Sequence, residues 1–199
     1  MIRTAIAAVA MSLALAGAAF ANPKTQDPAS VPAGTYALDK RHASLLAKIP
    51  HMGGFSRYTL RFDGLDGGFT YDPTNWQATK VTITVDAASV DTGDAGFNKQ
   101  IAGYFDAAKY PAMTFVSTEL AAADGKGTLT GDLSFHGVTK PVTLEVTFNG
   151  AGPGLLGAGT RAGFSGTAHI KRSDYGVTAA SQFAGDDVDL VFEVEFVKK

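Results

Sequence analysis

The chain has 199 residues, no cysteine, and 17 basic against 19 acidic side chains, for a formal net charge of −2. Without a thiol, disulfides, thiolate metal sites and an anchor on a lipidated cysteine are excluded. So small a net charge gives no general affinity for nucleic acid or for an anionic membrane surface, and the length suits one well-filled domain.

Residues 1–21 read as an export signal. Arg3 supplies the positive start, an apolar run covers residues 5–15, and Ala19-Phe20-Ala21 has the small-x-small form of a cleavage site. Cleavage is expected after Ala21. The run is shorter than the roughly 20 apolar residues that a spanning helix needs, and no later stretch reaches that length, so no stable membrane insertion is expected. Residues 22–33, with Pro23, Pro28 and Pro32 among small polar residues, read as a flexible leader. The domain is expected over 34–199.

From there the dominant period is two. Weak alternation covers 35–39, 45–50, 55–63 and 68–71, and a clear version places Val81, Ile83 and Val85 against Thr82 and Thr84. The pattern then changes. After Asp91-Thr92, either of which can cap a helix, Phe97, Ile101 and Phe105 recur every four residues, which predicts one short helix over about 94–105. Gly103 and Pro111 bracket its end, and one helix among strands suits a lid or plug. Alternation resumes over 113–120, through Leu129, Leu133 and Phe135, through Val142, Leu144, Val146 and Phe148, over 163–171, and from Val188 to Phe196. Asp63-Gly64, Asp66-Gly67, Asp124-Gly125, His136-Gly137 and Asn149-Gly150 are expected as turns. The fold class is all-β, an antiparallel meander. Period two does not separate a sandwich from a barrel, although closure removes exposed edges altogether.

The inner face is predicted to carry Phe62, Phe69, Phe115, Phe135, Phe148, Phe164 and Phe192 from different strands. Gly131, Gly166 and Ala168 fall on inward positions, where small residues leave volume. Such a face can be a packed core or the wall of a lipid site. Burying a hydrocarbon chain yields about 0.8 kcal/mol per methylene, so ten methylenes contribute on the order of 8 kcal/mol before ordering costs.

Candidate polar chemistry is sparse. His51, with Lys48, Arg57 and Arg61, reads as a cationic rim able to receive a phosphate or carboxylate, or else as a solvated strand end. The other three histidines, His42, His136 and His169, are scattered, so no metal site is expected. There is no Gly-x-Ser-x-Gly elbow. His136-Gly137-Val138-Thr139-Lys140-Pro141 reads as a hairpin turn, and Arg172, Asp174 and Gly176 as a structural ion pair at a strand end or else a second polar contact at the channel. His169 is expected to face solvent.

The order of motifs carries a resemblance. Tyr36-Ala37-Leu38-Asp39, His51-Met52-Gly53, Ser89-Val90-Asp91-Thr92-Gly93, Tyr110-Pro111 with Phe115, and Gly131-Asp132-Leu133 with His136-Gly137-Val138-Thr139-Lys140-Pro141-Val142 resemble the YceI-like family of lipocalin-like periplasmic proteins. The resemblance covers nearly all of the mature chain. It implies a lipocalin-like, eight-stranded antiparallel β-barrel with one helix, enclosing a long apolar channel. It also implies a periplasmic carrier of a long-chain isoprenoid or other amphiphilic lipid, with links to stress responses, no cofactor and no enzymatic reaction. Leu60 stands where the family pattern has glycine, which would narrow the channel mouth. The ligand-binding set expected is His51, Arg57 and Arg61 for the head and Phe62, Phe105, Phe115, Phe135, Phe164 and Phe192 for the chain. Two alternatives remain: an enzyme acting on a quinone or acyl substrate with His51 as acid or base, and a filled barrel that binds a protein partner. The oligomeric state, a homodimer among the options, is not legible.

Overall fold

The computed structural model describes residues 24–154 and 157–199, so the expected export signal lies outside the described residues. Ten antiparallel strands follow one another: β1 (Gly34–His51), β2 (Ser56–Phe62), β3 (Leu65–Tyr71), β4 (Val81–Asp86), β5 (Val90–Asp91), β6 (Ala112–Ala123), β7 (Lys126–Phe135), β8 (Val138–Pro153), β9 (Thr160–Lys171) and β10 (Asp187–Lys198). One helix, α1 (Ala95–Tyr104), separates β5 from β6. The hydrogen-bonded order is β10-β9-β8-β7-β6-β4-β3-β1-β2-β5, and β10 also pairs with β1, which closes the sheet on itself.

The circuit has eight staves, not ten. β2 and β3 both run antiparallel to β1, β2 along residues 45–51 and β3 along 34–37. They are one strand interrupted at Asp63-Gly64. β4 and β5 form a second interrupted strand alongside, and the ladder continues over the break through Asp63 N–H to Ser89 O and Asp86 N–H to Gly64 O, at 3.2 and 2.8 Å.

Three of the expected turns are therefore not reversals. Asp63-Gly64 is the break just described. Asp66-Gly67 lies inside β3, where the Thr82 carbonyl approaches so closely that a Cβ on Gly67 has no room. Asn149-Gly150 is a bulge in β8, where the register against β9 jumps between Phe148 and Gly150. A two-residue reversal of this kind needs positive φ at both positions. Asp124-Gly125 (52° and 74°) and His136-Gly137 (52° and 79°) meet that requirement and form the β6–β7 and β7–β8 hairpins.

Helix α1 starts at Asp94, whose carboxylate accepts the Phe97 N–H at 2.7 Å. Asp91 and Thr92, the expected caps, instead hold Asn98: its side-chain amide donates to Asp91, and its oxygen accepts from Thr92 N–H and Oγ1. Ile101 is buried, and Phe97 meets Tyr58 edge-on at 5.6 Å, which seats the helix at one end of the barrel.

The stretch expected as a flexible leader is tied down from Lys24 onward. Thr25 and Ala151 exchange backbone hydrogen bonds of 2.7 and 2.8 Å, Asp27 caps a short turn at Pro28–Ser30, and Val31 is buried. The Tyr71 and Tyr36 hydroxyls donate to the Pro28 and Pro32 carbonyls, both at 2.8 Å. Prolines lack an N–H but keep a carbonyl, and here those carbonyls accept from one buried and one half-buried phenol. Tyr36, wholly buried, stacks on Phe69 at 5.1 Å, and Phe164 and Phe196 meet Phe69 edge-on. This cluster fills one side of the barrel near the start of β1.

Gly131 and Gly166 do face inward, but the space over them is taken. The Phe115 ring lies over Gly131, and the Phe192 ring over Gly166. A Cβ on Gly166 would meet both that ring and the Glu145 carbonyl. Gly166→Ala is therefore expected to cost about 1–3 kcal/mol, the range for overpacking a tight site, read as a lowered midpoint in urea unfolding with an unchanged slope.

Candidate functional site

The barrel is hollow. A cavity of about 900 Å³ runs through it and touches both Lys126 and Phe135, the two ends of β7. Nine rises of about 3.4 Å on a strand tilted about 40° make that span roughly 23 Å along the axis. The wall is apolar. Leu144, Leu190 and Phe192 point inward from β8 and β10 yet remain only half buried, because they face unfilled space.

All seven phenylalanines expected on the inner face line this cavity, and so does Phe105, which follows α1 and packs on Phe62 and Phe135 at 6.1 and 5.5 Å. The predicted chain-binding set of Phe62, Phe105, Phe115, Phe135, Phe164 and Phe192 is thus brought to one surface. The volume does not come from the missing side chains of Gly131 and Gly166. Those glycines let Phe115 and Phe192 lie against the wall instead of across the lumen.

The two ends differ. At the end sealed by α1, the lining is Phe105, Phe135, Ile170, Val177 and Arg172, none of them exposed. Arg172 is 8 % exposed, and its guanidinium makes four hydrogen bonds to carbonyls of the loop between β9 and β10. They reach Gly185, Val177, Ala179 and Ala184 at 2.7–2.9 Å. The structural role expected for Arg172 and Gly176 is what the fold uses, with Gly176 at φ 72° ending the turn at Arg172–Tyr175; Asp174 pairs elsewhere, with Lys140 at 2.8 Å.

Exposed lining residues gather at the opposite end, which is the mouth. They come from the 26–29 segment and from the β6–β7 hairpin, and include Asp27, Asp124 and Lys126, with Trp76 and Thr79 beside them. Thr79 Oγ1 is covered and has no hydrogen-bond partner among the described residues. No periodic signal marks these residues in the sequence, because all of them lie in or beside connections.

The expected cationic rim is not at the mouth. On β2, Tyr58, Leu60 and Phe62 turn to the interior, which places Arg57 and Arg61 on the outer wall. Arg57 pairs with Asp189 on β10, Arg61 Nε donates to Asp63 at 2.5 Å, and Lys48 lies opposite Asp189. His51 ends β1 at the sealed end, tilted against Tyr58 at 6.4 Å and outside the cavity lining. Leu60, 2 % exposed and opposite Ala47, narrows the inner end rather than the mouth. His136 occupies its hairpin with Nδ1 2.9 Å from the Tyr175 carbonyl oxygen, and His169 is exposed between Asp187 and Asp189.

Asp39, His42 and Glu195 bring potential ligand atoms within 4.8 Å of one another. Arg161 already holds both carboxylates, with Nη1 2.6 Å from Asp39 and 2.8 Å from Glu195, so a fixed cation stands where a metal would compete. That guanidinium first, and His42 second, hold the Asp39 carboxyl well below the usual range.

Comparison with known proteins agrees with this geometry. The family model described as YceI-like domain matches residues 36–196. A UPF0312 protein of Vibrio cholerae is 39% identical over 177 residues, covering 86% of this chain and 92% of the relative. The crystal structure of Burkholderia cenocepacia BcnA superposes with a TM-score of 0.69 at 29% identity, covering 79% of this chain and 98% of that one. A polyisoprenoid binding domain from Saccharophagus degradans shares the fold with a TM-score of 0.61 at 20% identity, covering 82% and 98% of the two chains.

Two outcomes are expected. Arg172→Met strands four carbonyls and should cost about 3 kcal/mol or more, with hydrogen exchange accelerating first over residues 176–186. Asp39 has a folded-state pKa below its unfolded value of 3.8, so its contribution is complete above about pH 4 and is lost as pH falls below that. Asp39→Asn should therefore flatten the acid limb of a stability-versus-pH curve and leave its shape above pH 5 unchanged.

Proposed function

We propose, from the premise that this chain belongs to the YceI-like family, that it is an exported carrier holding one long-chain isoprenoid or related amphiphile inside its barrel. The observation that carries this reading is the elongated apolar cavity of about 900 Å³, open at one end and sealed at the other. A methylene occupies about as much space as a water molecule, roughly 30 Å³, so the lumen takes on the order of 30 chain carbons at most. A narrow tube of that length suits a chain rather than a compact ligand. The structural neighbour described as a polyisoprenoid binding domain points to the same ligand class.

Export to the periplasm is part of the reading and rests on the signal-like residues 1–21. A role in stress protection would follow from sequestering a membrane-derived lipid. No reaction is required: transfer of hydrocarbon from water to the wall supplies the driving force. The quinone- or acyl-processing alternative loses its proposed acid or base, because His51 stands outside the cavity. The filled-barrel alternative is disfavoured by the open lumen.

Native mass spectrometry of protein purified under mild conditions tests the carrier. A lipid adduct that organic extraction removes is expected. Leu144→Trp, which fills the middle of the lumen, should abolish the adduct while leaving the thermal midpoint equal or higher, as cavity filling does. A lumen holding only water in the unaltered protein would overturn the reading.

A further inference from the structure

The exposed charged groups of the cavity lining lie at one end only, and they are unbalanced. Its charged lining residues are Asp27, Asp124, Lys126 and Arg172. Arg172 sits at the sealed end with its N–H groups committed to four carbonyls, so it has little left for a ligand. At the mouth two carboxylates, Asp27 and Asp124, face one ammonium, Lys126. Among the described residues Lys126 and Asp124 make no ion pair, while Asp27 accepts from Ala29 N–H and Ser30 Oγ. The cations expected to serve an anionic head, Lys48, Arg57 and Arg61, are on the outer wall, and Arg57 is already paired with Asp189.

Resting on the carrier reading, we infer that the mouth selects amphiphiles whose head is an uncharged hydrogen-bonding group, such as a hydroxyl, carbonyl or amide, over those ending in phosphate or carboxylate. An anionic head seated there exchanges water for two carboxylates and one ammonium. It gives up hydration without a surplus of positive charge to replace it. A neutral head gives up less and finds partners. Thr79 Oγ1 is a covered hydroxyl without a partner among the described residues, and the Trp76 indole N–H, of a residue that also lines the mouth, makes no hydrogen bond among them. Buried polar groups are almost always satisfied, so an orphan hydroxyl at the entrance of an otherwise apolar tube points to a ligand's polar head as its partner. The tail then runs inward toward Phe105 and Phe135.

Geranylgeraniol and geranylgeranyl diphosphate, equal in chain and different in head, provide the test. Both are titrated into the delipidated full chain, and fluorescence of the single tryptophan, Trp76, at the mouth reports binding. The alcohol is expected to bind at least about tenfold more tightly, a difference of about 1.4 kcal/mol. Asp27→Asn with Asp124→Asn removes both negative charges while keeping the cap at residue 27 and the positive φ at residue 124, since asparagine serves in both places. This double variant should gain at least about threefold for the diphosphate and nothing for the alcohol. Thr79→Val should weaken the alcohol several-fold and leave squalene, which has no head, unchanged. A diphosphate that binds the native mouth as tightly as the alcohol, or a preference unmoved by the double variant, overturns the selectivity. Failure of the protein to bind any of the three lipids overturns the carrier reading itself.

Discussion

The pairing of β1 with β10 is the constraint from which the rest follows. It runs from Tyr36 opposite Lys198 to Lys48 opposite Asp189, with one irregularity between Leu38 and Ala43. With this seam closed, the long edges of the sheet are joined, and among the described residues only the two-residue β5, paired with β2 alone, ends the strand order. Each stave then sorts its residues into two sets by parity, and the inner set meets water only through the ends. Eight strands give an interior that side chains can just fill or just leave open. Here the outcome turns on where aromatic bulk goes. Tyr36, Phe69, Phe164 and Phe196 gather into a cluster on one side, while the rings of Phe115 and Phe192 occupy the space over Gly131 and Gly166.

Much of this was legible in the residues. The alternation of Val81, Ile83 and Val85 and of Val142, Leu144 and Val146 gave strands whose inner faces the structure bears out, and the motif order resembled the family that the comparisons identify. Parity could have taken the reading further. If Phe62 faces inward, Arg61 and Arg57 must face outward, so the cationic rim was excluded by the same period that defined the strand. Other features were beyond a local reading. Asp63-Gly64 and Asp124-Gly125 are the same dipeptide, yet one interrupts a strand and the other reverses it, and only pairing with β1 decides between them. The mouth is assembled from three connections distant in sequence, at 26–29, 73–79 and 123–127, and no periodicity marks such a meeting point.

The ends of the barrel solve a problem that the staves do not have. Strand carbonyls are satisfied by neighbouring strands, whereas the loop between β9 and β10 crosses the base with carbonyls turned inward. A guanidinium offers five N–H donors in a rigid fork, and Arg172 directs four hydrogen bonds to Val177, Ala179, Ala184 and Gly185 while Ser173 anchors to Asp186 through two further bonds. A lysine would bring the same charge with less reach. Among the described residues the opposite end carries no guanidinium clasp of this kind, and that asymmetry gives the tube a direction.

The seam between the first and last strands also sets a timetable. Residues 36–48 must wait for residues 189–198 before the ring can shut, which makes contacts about as remote along the chain as its length permits. Until the final stave emerges, β1 and β9 each present an unpartnered margin of backbone N–H and C=O groups. A polypeptide stopped short of β10 would therefore be an open, adhesive ribbon, and assembly has to end in a late closing step.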